Sequence, residues 1–510
     1  MKYKKGKTAL IIGAGVAGLS AAYYLVKHSK IRPIIIETES CLGGLAKTFD
    51  YEGLKADIGP HRFFTKNKDV MNLWTGILSL QSSCAKDDII LNRKVNFSGI
   101  ANPENDDCVL LKRRRFSRIY YKQKFFDYPV KINLCTILNI GLIKTMMVGL
   151  SYVKSCVFKQ KENNLEDFMI NRFGRVLYEM FFEFYTQKVW GRHPKNISKD
   201  WGEQRIKGLS LLKTILNKFS YKKETSLIEE YFYPKLGAGQ MWEEMSKTIV
   251  QNGGEIHLNT KVLGVNINNN KILSLKVQNE NNIYDLFGDY VISSMPLKDF
   301  INGMDNVVES LKQIADGLKY RDYQLISFKV NDFNLKNNTD WATINNICPD
   351  SWIYIQDREV NAGRIYIPKN FSPYLSNDIN DTLICMEYFC DKGDYLWNMS
   401  DDEIYQYAIE ELKKIKAIKS VDNVEKSYRL KVEKAYPAYF DTYKDFEKLK
   451  DFLNTIENLY CIGRNGQHKY NNMDHSVLSG ITAAHMIIEG INDKSSLWEI
   501  NTEQSYQEKI

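Results

Sequence analysis

Proline is scarce in this chain, 11 residues in 510, and glycine contributes only 30. Extended disorder and fibrous repeats both need far more of these residues, so the composition excludes them. The seven histidines are thinly spread with no HExxH spacing, and the nine cysteines, an odd number, form neither CxxC nor Cys/His ligand pairs. No metal is therefore expected, and reduced thiols point to a cytoplasmic compartment. A strong charge of one sign is missing too, because Lys and Arg exceed Asp and Glu by only seven. That mild excess suits a protein handling anionic small molecules, with no nucleic acid among its expected partners. The densest basic run, Lys112 to Arg115, reads as a solvated face.

Clean membrane-length apolar runs are absent. Lys2, Lys4, Lys5 and Lys7 ahead of the first apolar run imitate a secretory signal, but the glycines that follow argue against it. Ile132 to Val153 is apolar yet broken by Lys144 and several polar residues, which favours a buried or interfacial helix over a span. Membrane association is accordingly not the favoured expectation, and residues 132–153 are where it would run. What is present is globular: 44% hydrophobic and 26% charged residues, enough for two or three domains with large cores.

Thr8 to Ile12 reads as a short apolar strand running straight into Gly13-Ala14-Gly15-Val16-Ala17-Gly18, with a helical pattern over Leu19 to Lys27. In that setting Gly13 permits the tight turn, Gly15 lets the backbone approach a pyrophosphate, and Gly18 lets helix pack on strand. The helix N-terminus then offers free N–H groups to phosphates. A second strand, Pro33 to Ile36, delivers Glu37 nineteen residues past Gly18, where a carboxylate binds ribose hydroxyls. Gly43 and Gly44, followed by Leu45, let backbone approach the cofactor again. This second glycine pair resembles the large group of FAD enzymes that includes amine oxidases, protoporphyrinogen oxidase, phytoene desaturase and UDP-galactopyranose mutase. FAD is the cofactor this resemblance implies.

The expected fold class is α/β: a Rossmann-like FAD-binding domain of the GR2 type, a helical insertion and an antiparallel-sheet substrate domain. The FAD-binding domain is expected to be discontinuous, from residues 1–75, 230–300 and 432–495. Its later parts carry a helix near Gln240 to Asn252, a strand Tyr290 to Ser294, and Asn458 to Arg464 ahead of a helix Val477 to Glu489. Residues 100–225 read as mainly helical, with Phe168, Tyr178, Phe181, Phe182 and Phe184 as core. Residues 301–431 alternate as an antiparallel sheet. Residues 496–510 are left as a tail.

Within the FAD group the chain is similar to UDP-galactopyranose mutases at several separated places. Gly59-Pro60-His61-Arg62-Phe63-Phe64-Thr65 resembles their GPHxFHT motif, which implies that Gly59 and His61 approach the flavin; Phe64 stands where the second histidine would be. Tyr185 to Gly191 is similar to YTxKQWG, implying that Trp190 lines a nucleotide-sugar site, although an aromatic packed in a helical core fits Trp190 equally. Tyr320-Arg321 resembles a Tyr-Arg pair whose arginine grips a diphosphate; a surface salt bridge is the plainer reading. Gly463 to Asp474 resembles GRLxxYKYxxMD, which implies Gly463, Arg464 and Met473 near the flavin and Tyr470 and Asp474 near substrate.

Two departures stand out. The family's VRF arginine segment has no counterpart after Trp190, where Arg205-Ile206-Lys207-Gly208-Leu209-Ser210 follows, and Tyr233 to Gln240 looks more like the protoporphyrinogen-oxidase and amine-oxidase type. Two chemistries stay open. As a mutase, the protein would convert pyranose to furanose forms of a nucleoside-diphosphate sugar by attack of reduced flavin N5 on the anomeric carbon, with an external flavin reductant. The catalytic set would be His61, Arg321, Arg464, Tyr470 and Asp474, with Trp190, Arg321 and Tyr470 on the substrate. As an oxidoreductase, it would take a hydride from a small molecule at the same flavin. A flavoprotein without catalysis is the third reading.

Overall fold

Thr8–Ile12 and Arg32–Ile36 are buried at every position after the first, as suits parallel strands with helices on both faces. They are the centre of a five-stranded, all-parallel sheet. Its order is Glu255–His257, Arg32–Ile36, Thr8–Ile12, Tyr290–Ser293, Leu459–Cys461, so three distant stretches of chain meet in one layer. The helices Val16–His28, Gly239–Gln251 and Met473–Glu489 cover it. The first and last of these run so close that a Cβ on Gly480 would lie 2.3 Å from the Ala17 carbonyl oxygen. The structure, a computed structural model, describes residues 6–128, 130, 133–199, 202, 230–280 and 282–501. Arg205 to Ser210 lies outside them.

The second layer is a seven-stranded sheet ordered Val424–Pro437, Tyr320–Val330, Thr382–Cys390, Arg364–Tyr366, Trp352–Ile355, Ser117–Tyr121, Lys124–Asp127. It departs from the expectation in two ways. Trp352–Ile355 pairs in parallel with Ser117–Tyr121, so the sheet is mixed, and two strands come from the segment expected to be helical. Residues 109–127 are strands, and the helices begin only at Leu134. The helices Leu165–Phe173, Arg175–Phe181 and Glu183–Trp190 pack on this sheet. There Phe168, Tyr178 and Phe181 are fully buried, whereas Phe182 and Phe184 are half-buried.

Lys112 to Arg115 is not a uniformly solvated face. Val109–Arg114 pairs with Glu230–Pro234, and strand alternation turns Arg113 inward, where its guanidinium meets Asp87 and Asp88 at 3.2 and 3.3 Å. Nor are residues 496–501 a loose tail: Leu497, Trp498 and Ile500 are buried, and the Lys469 ammonium donates to the Trp498 carbonyl at 3.0 Å. The apolar stretch beginning at 132 forms two helices, Leu134–Ile140 and Leu142–Val157, bent by 106°. Among the described residues no single helix is long and apolar enough to cross a membrane.

Candidate active site

The loop after the first strand is built to be approached by a ligand. Gly13 sits at φ +99°, and a Cβ there would strike the Ser294 hydroxyl at 2.3 Å. A Cβ on Gly18 would lie 2.0 Å from the Gly13 carbonyl oxygen, so only glycine allows the turn and helix to close. Gly15 bridges Gly43, and a Cβ on Gly44 would come within 3.1 Å of the Gly15 Cα. Two backbone segments thereby form a wall free of side chains. The helix Val16–His28 starts beside it with no capping side chain and no acidic residue in its first turn, leaving N–H groups for an anion. Glu37 is fixed at the strand end, accepting the Ala14 and Glu39 N–H groups at 2.7 and 2.9 Å.

Next to Leu45 opens a cavity of about 210 Å³. Gly59, His61, Arg464, Tyr470, Met473 and Asp474 line it with Leu45, so segments hundreds of residues apart converge on one space. The Gly463 N–H donates to the Ser479 hydroxyl at 2.9 Å, and Gly463 itself sits at φ +72°, pressed against Ala17. That turn aims Arg464 across the cavity, where its Nε donates to the Asn471 carbonyl at 2.9 Å and its Nη1 to the Ala435 carbonyl at 3.1 Å. The guanidinium also lies over the rings of Tyr470 and Tyr436, at 4.9 and 5.2 Å. The His61 Nδ1 is buried, 3.7 Å from the Asp57 carboxylate, and makes no hydrogen bond. Asp57 already accepts from the Thr48 and Tyr233 hydroxyls and the Ala238 N–H.

These features fit FAD. Glu37 would hold the ribose, the Gly13–Gly18 loop the pyrophosphate, and Gly43, Gly44, Leu45, Gly59, Gly463 and Met473 the flavin side. The buried His61 nitrogen would gain the partner it lacks.

The structure does not bring Arg321 or Trp190, the expected diphosphate grip and sugar-site wall, onto the cavity lining. Arg321 does not line the cavity: its Nε donates to the Val189 carbonyl at 3.0 Å, its Nη1 pairs with Asp391, and Gly191 packs on it. Trp190 is not on the lining either; it stands edge-on behind Tyr470 with ring centroids 6.4 Å apart. Arg364, which no sequence signal marked, does line the cavity. It comes from a central strand directly opposite Glu387, pairs with that buried carboxylate, and donates to the Tyr436 hydroxyl at 3.3 Å. Burial works against the Arg364 charge, but Glu387 and then Tyr436 outweigh it and hold the guanidinium above its ordinary value. Burial pushes the Tyr436 hydroxyl up to about 12, so it keeps its proton at neutral pH. Arg62, over the Trp352 ring at 4.6 Å, Phe64, Tyr323 and Tyr354 are also on the lining. Phe64, for which no role was expected, is thus a wall of the site.

A larger cavity of about 300 Å³, beside Arg113 and Trp341, shares no residue with this one and lies away from the glycine loops. Its floor carboxylates, Asp87 and Asp88, are consumed by Arg93 and Arg113. Its size does not make it the site of chemistry.

His468, inside the Gly463–Asp474 segment, is buried and its pKa falls to about 4 through loss of solvation. Its folded value lies below the unfolded value of 6.5, so the unfolded chain binds the proton more readily, and stability falls as pH drops from 6.5 to 4. This single group accounts for about 3 kcal/mol across that window. His468→Gln is expected to flatten the acid side of a melting-temperature profile, and an unchanged profile would refute the assignment.

Glycine loop, acidic strand end and parallel sheet together define a flavoprotein with FAD as its cofactor. Residues 16–302, more than half of the chain, match the flavin containing amine oxidoreductases, and the chain belongs to that family. It is similar to the 15-cis-phytoene desaturase of an Oncidium hybrid cultivar, 24% identical over 95% of this chain and 78% of that one. In fold it resembles reduced UDP-galactopyranose mutase, with a TM-score of 0.77 at 17% identity over 98% of both chains. It also resembles a CLA-producing fatty acid isomerase from P. acnes, with a TM-score of 0.58 at 12% identity over 96% of this chain and 100% of that one.

Proposed function

We propose that this flavoprotein isomerises the ring of a nucleoside-diphosphate sugar, a mutase reaction without net redox change. The observation that carries the reading is the lining of the cavity: Arg62, Arg364 and Arg464 among tyrosine hydroxyls. A cationic amine would be repelled by three guanidinium groups, and a hydrocarbon such as phytoene would set an apolar surface against a charged, polar lining. A diphosphate matches their charge and forked geometry. Bound FAD, once reduced by an external donor, supplies the nucleophile for the anomeric carbon.

The chain's own residues bind and orient. Arg364, aligned by Glu387, presents its remaining N–H groups to the leaving diphosphate, and Tyr436 donates its retained proton to the same oxygens. Arg464 braces Tyr436 and Tyr470 so that the sugar meets a fixed wall. Asp474, buried at the start of its helix, would receive sugar hydroxyls, and His61 would hold the flavin. Family membership and the desaturase relatives support a second reading, hydride removal from a small molecule.

The two separate in an anaerobic assay of dithionite-reduced protein with UDP-galactopyranose and related nucleotide sugars. The mutase reading expects a product of identical mass and different chromatographic retention, formed while the flavin stays reduced. No isomer across the panel, together with substrate-dependent bleaching of the flavin in a parallel anaerobic sample of the oxidised protein, would overturn it in favour of the oxidoreductase.

A further inference from the structure

The helix Leu142–Val157 is docked inside out. It meets the protein through Ser151, Tyr152 and Ser155: Ser155 is buried, the Ser151 hydroxyl accepts the Val176 N–H at 3.2 Å, and a Cβ on Gly174 would strike the Tyr152 backbone at 2.8 Å. Its apolar side faces outward. Between residues 134 and 158 ten large apolar side chains are exposed, among them Leu142 at 71%, Ile143 at 75%, Leu150 at 73% and Phe158 at 74%. Recurrence at 142, 143, 146, 147, 150, 153 and 157 makes them one continuous stripe along the helix, continued onto Leu134–Ile140 by Leu134 and Leu138. A contiguous apolar face of this kind marks a surface that something covers.

Charge identifies the cover. From Tyr128 to Lys161 there are five lysines, at 131, 144, 154, 159 and 161, and no acidic residue. Lys124 adds a sixth, holding the Asn139 carbonyl at 3.2 Å at the end of the first helix. Six lysines against two flanking carboxylates, Asp127 and Glu162, make the border of the stripe cationic, complementary to lipid chains beneath anionic head groups. The longer helix has 16 residues, roughly 24 Å, which is short of the ~30 Å hydrocarbon core. With the 106° bend at Gly141, the pair suits lying in an interface better than crossing it.

We propose that this bent helix pair seats the protein on an anionic lipid surface, its apolar stripe in the acyl boundary and its lysines among the head groups. The inference does not depend on which reaction the flavin site performs. Full-length, FAD-loaded protein is sedimented with phosphatidylcholine vesicles with and without phosphatidylglycerol. Binding is expected to anionic vesicles, about tenfold weaker to neutral ones and in high salt. Ile143→Glu with Leu150→Glu is expected to weaken it by about tenfold or more, at unchanged melting temperature and flavin spectrum, because both side chains are exposed. Wild-type protein that ignores both vesicles would overturn the proposal. So would a wild-type dimer that the same variant splits, which would assign the stripe to a second copy. Vesicle binding that appears only after removal of residues 203–229 would assign it to that segment.

Discussion

Arg364→Met is expected to lose both the anionic substrate and much of the protein's stability. The guanidinium is held by Glu387, which is fully buried, and removing one member of such a pair leaves the other charge uncompensated. That costs about 3–5 kcal/mol. The substrate loses a desolvated, forked partner, worth about 2–5 kcal/mol, or between about thirtyfold and several thousandfold in affinity for UDP. The two effects separate in the double variant Arg364→Met with Glu387→Leu, which replaces the pair by apolar side chains of similar volume. Its melting temperature is expected to recover toward wild type while UDP affinity, followed by calorimetry, stays low. A single variant that binds UDP within about threefold of wild type would show that Arg364 does not reach the diphosphate.

Gly18→Ala is expected to yield a protein without flavin. The added carbon would lie 2.0 Å from the Gly13 carbonyl oxygen, in the turn that would present N–H groups to the pyrophosphate. Gly13 cannot withdraw without opening that turn, because its N–H is bonded to the Ile36 carbonyl at 2.8 Å. Overpacking of this sort costs about 1–3 kcal/mol in a forgiving core, and more where backbone meets backbone. The readout is visible flavin absorbance per protein after purification. Retention of a wild-type complement of FAD would refute the assigned role of the turn.

The cofactor half of the site was legible in the sequence because local geometry dictates it. Strand, glycine turn, helix and acidic strand end occupy consecutive residues, and Gly13 and Gly18 stand where a Cβ finds no room. The Gly463–Asp474 segment was legible for the same reason, its turn and helix start being continuous in the chain. Arg364 was not. It lies in a three-residue strand whose chemistry arrives from Glu387 across the ladder, and such a pairing has no local signature. Arg321 misled in the opposite direction. The Tyr-Arg dipeptide is present, but the fold turns this arginine to Val189 and Asp391, away from the cavity. The run at Lys112 to Arg115 shows how a charged stretch deceives when it is a strand: alternation sends Arg113 into the interior and leaves Arg114 outside. Strands 109–127 were missed for want of clean alternation, since charged and apolar residues share both faces there.

The parallel sheet that carries the glycine loop takes its edge strand from Leu459–Cys461, and Met473–Glu489 then presses on the helix that follows the loop. During synthesis the first strands emerge long before their last partner. Until residue 461 is available, Tyr290–Ser293 keeps an unpaired edge and the flavin side of the cradle stays open. Stable cofactor loading is therefore expected only once the C-terminal strand has been made. Truncation upstream of residue 459 would release a polypeptide that still carries its complete dinucleotide loop yet has no means of retaining the flavin, and whose open strand edge invites aggregation.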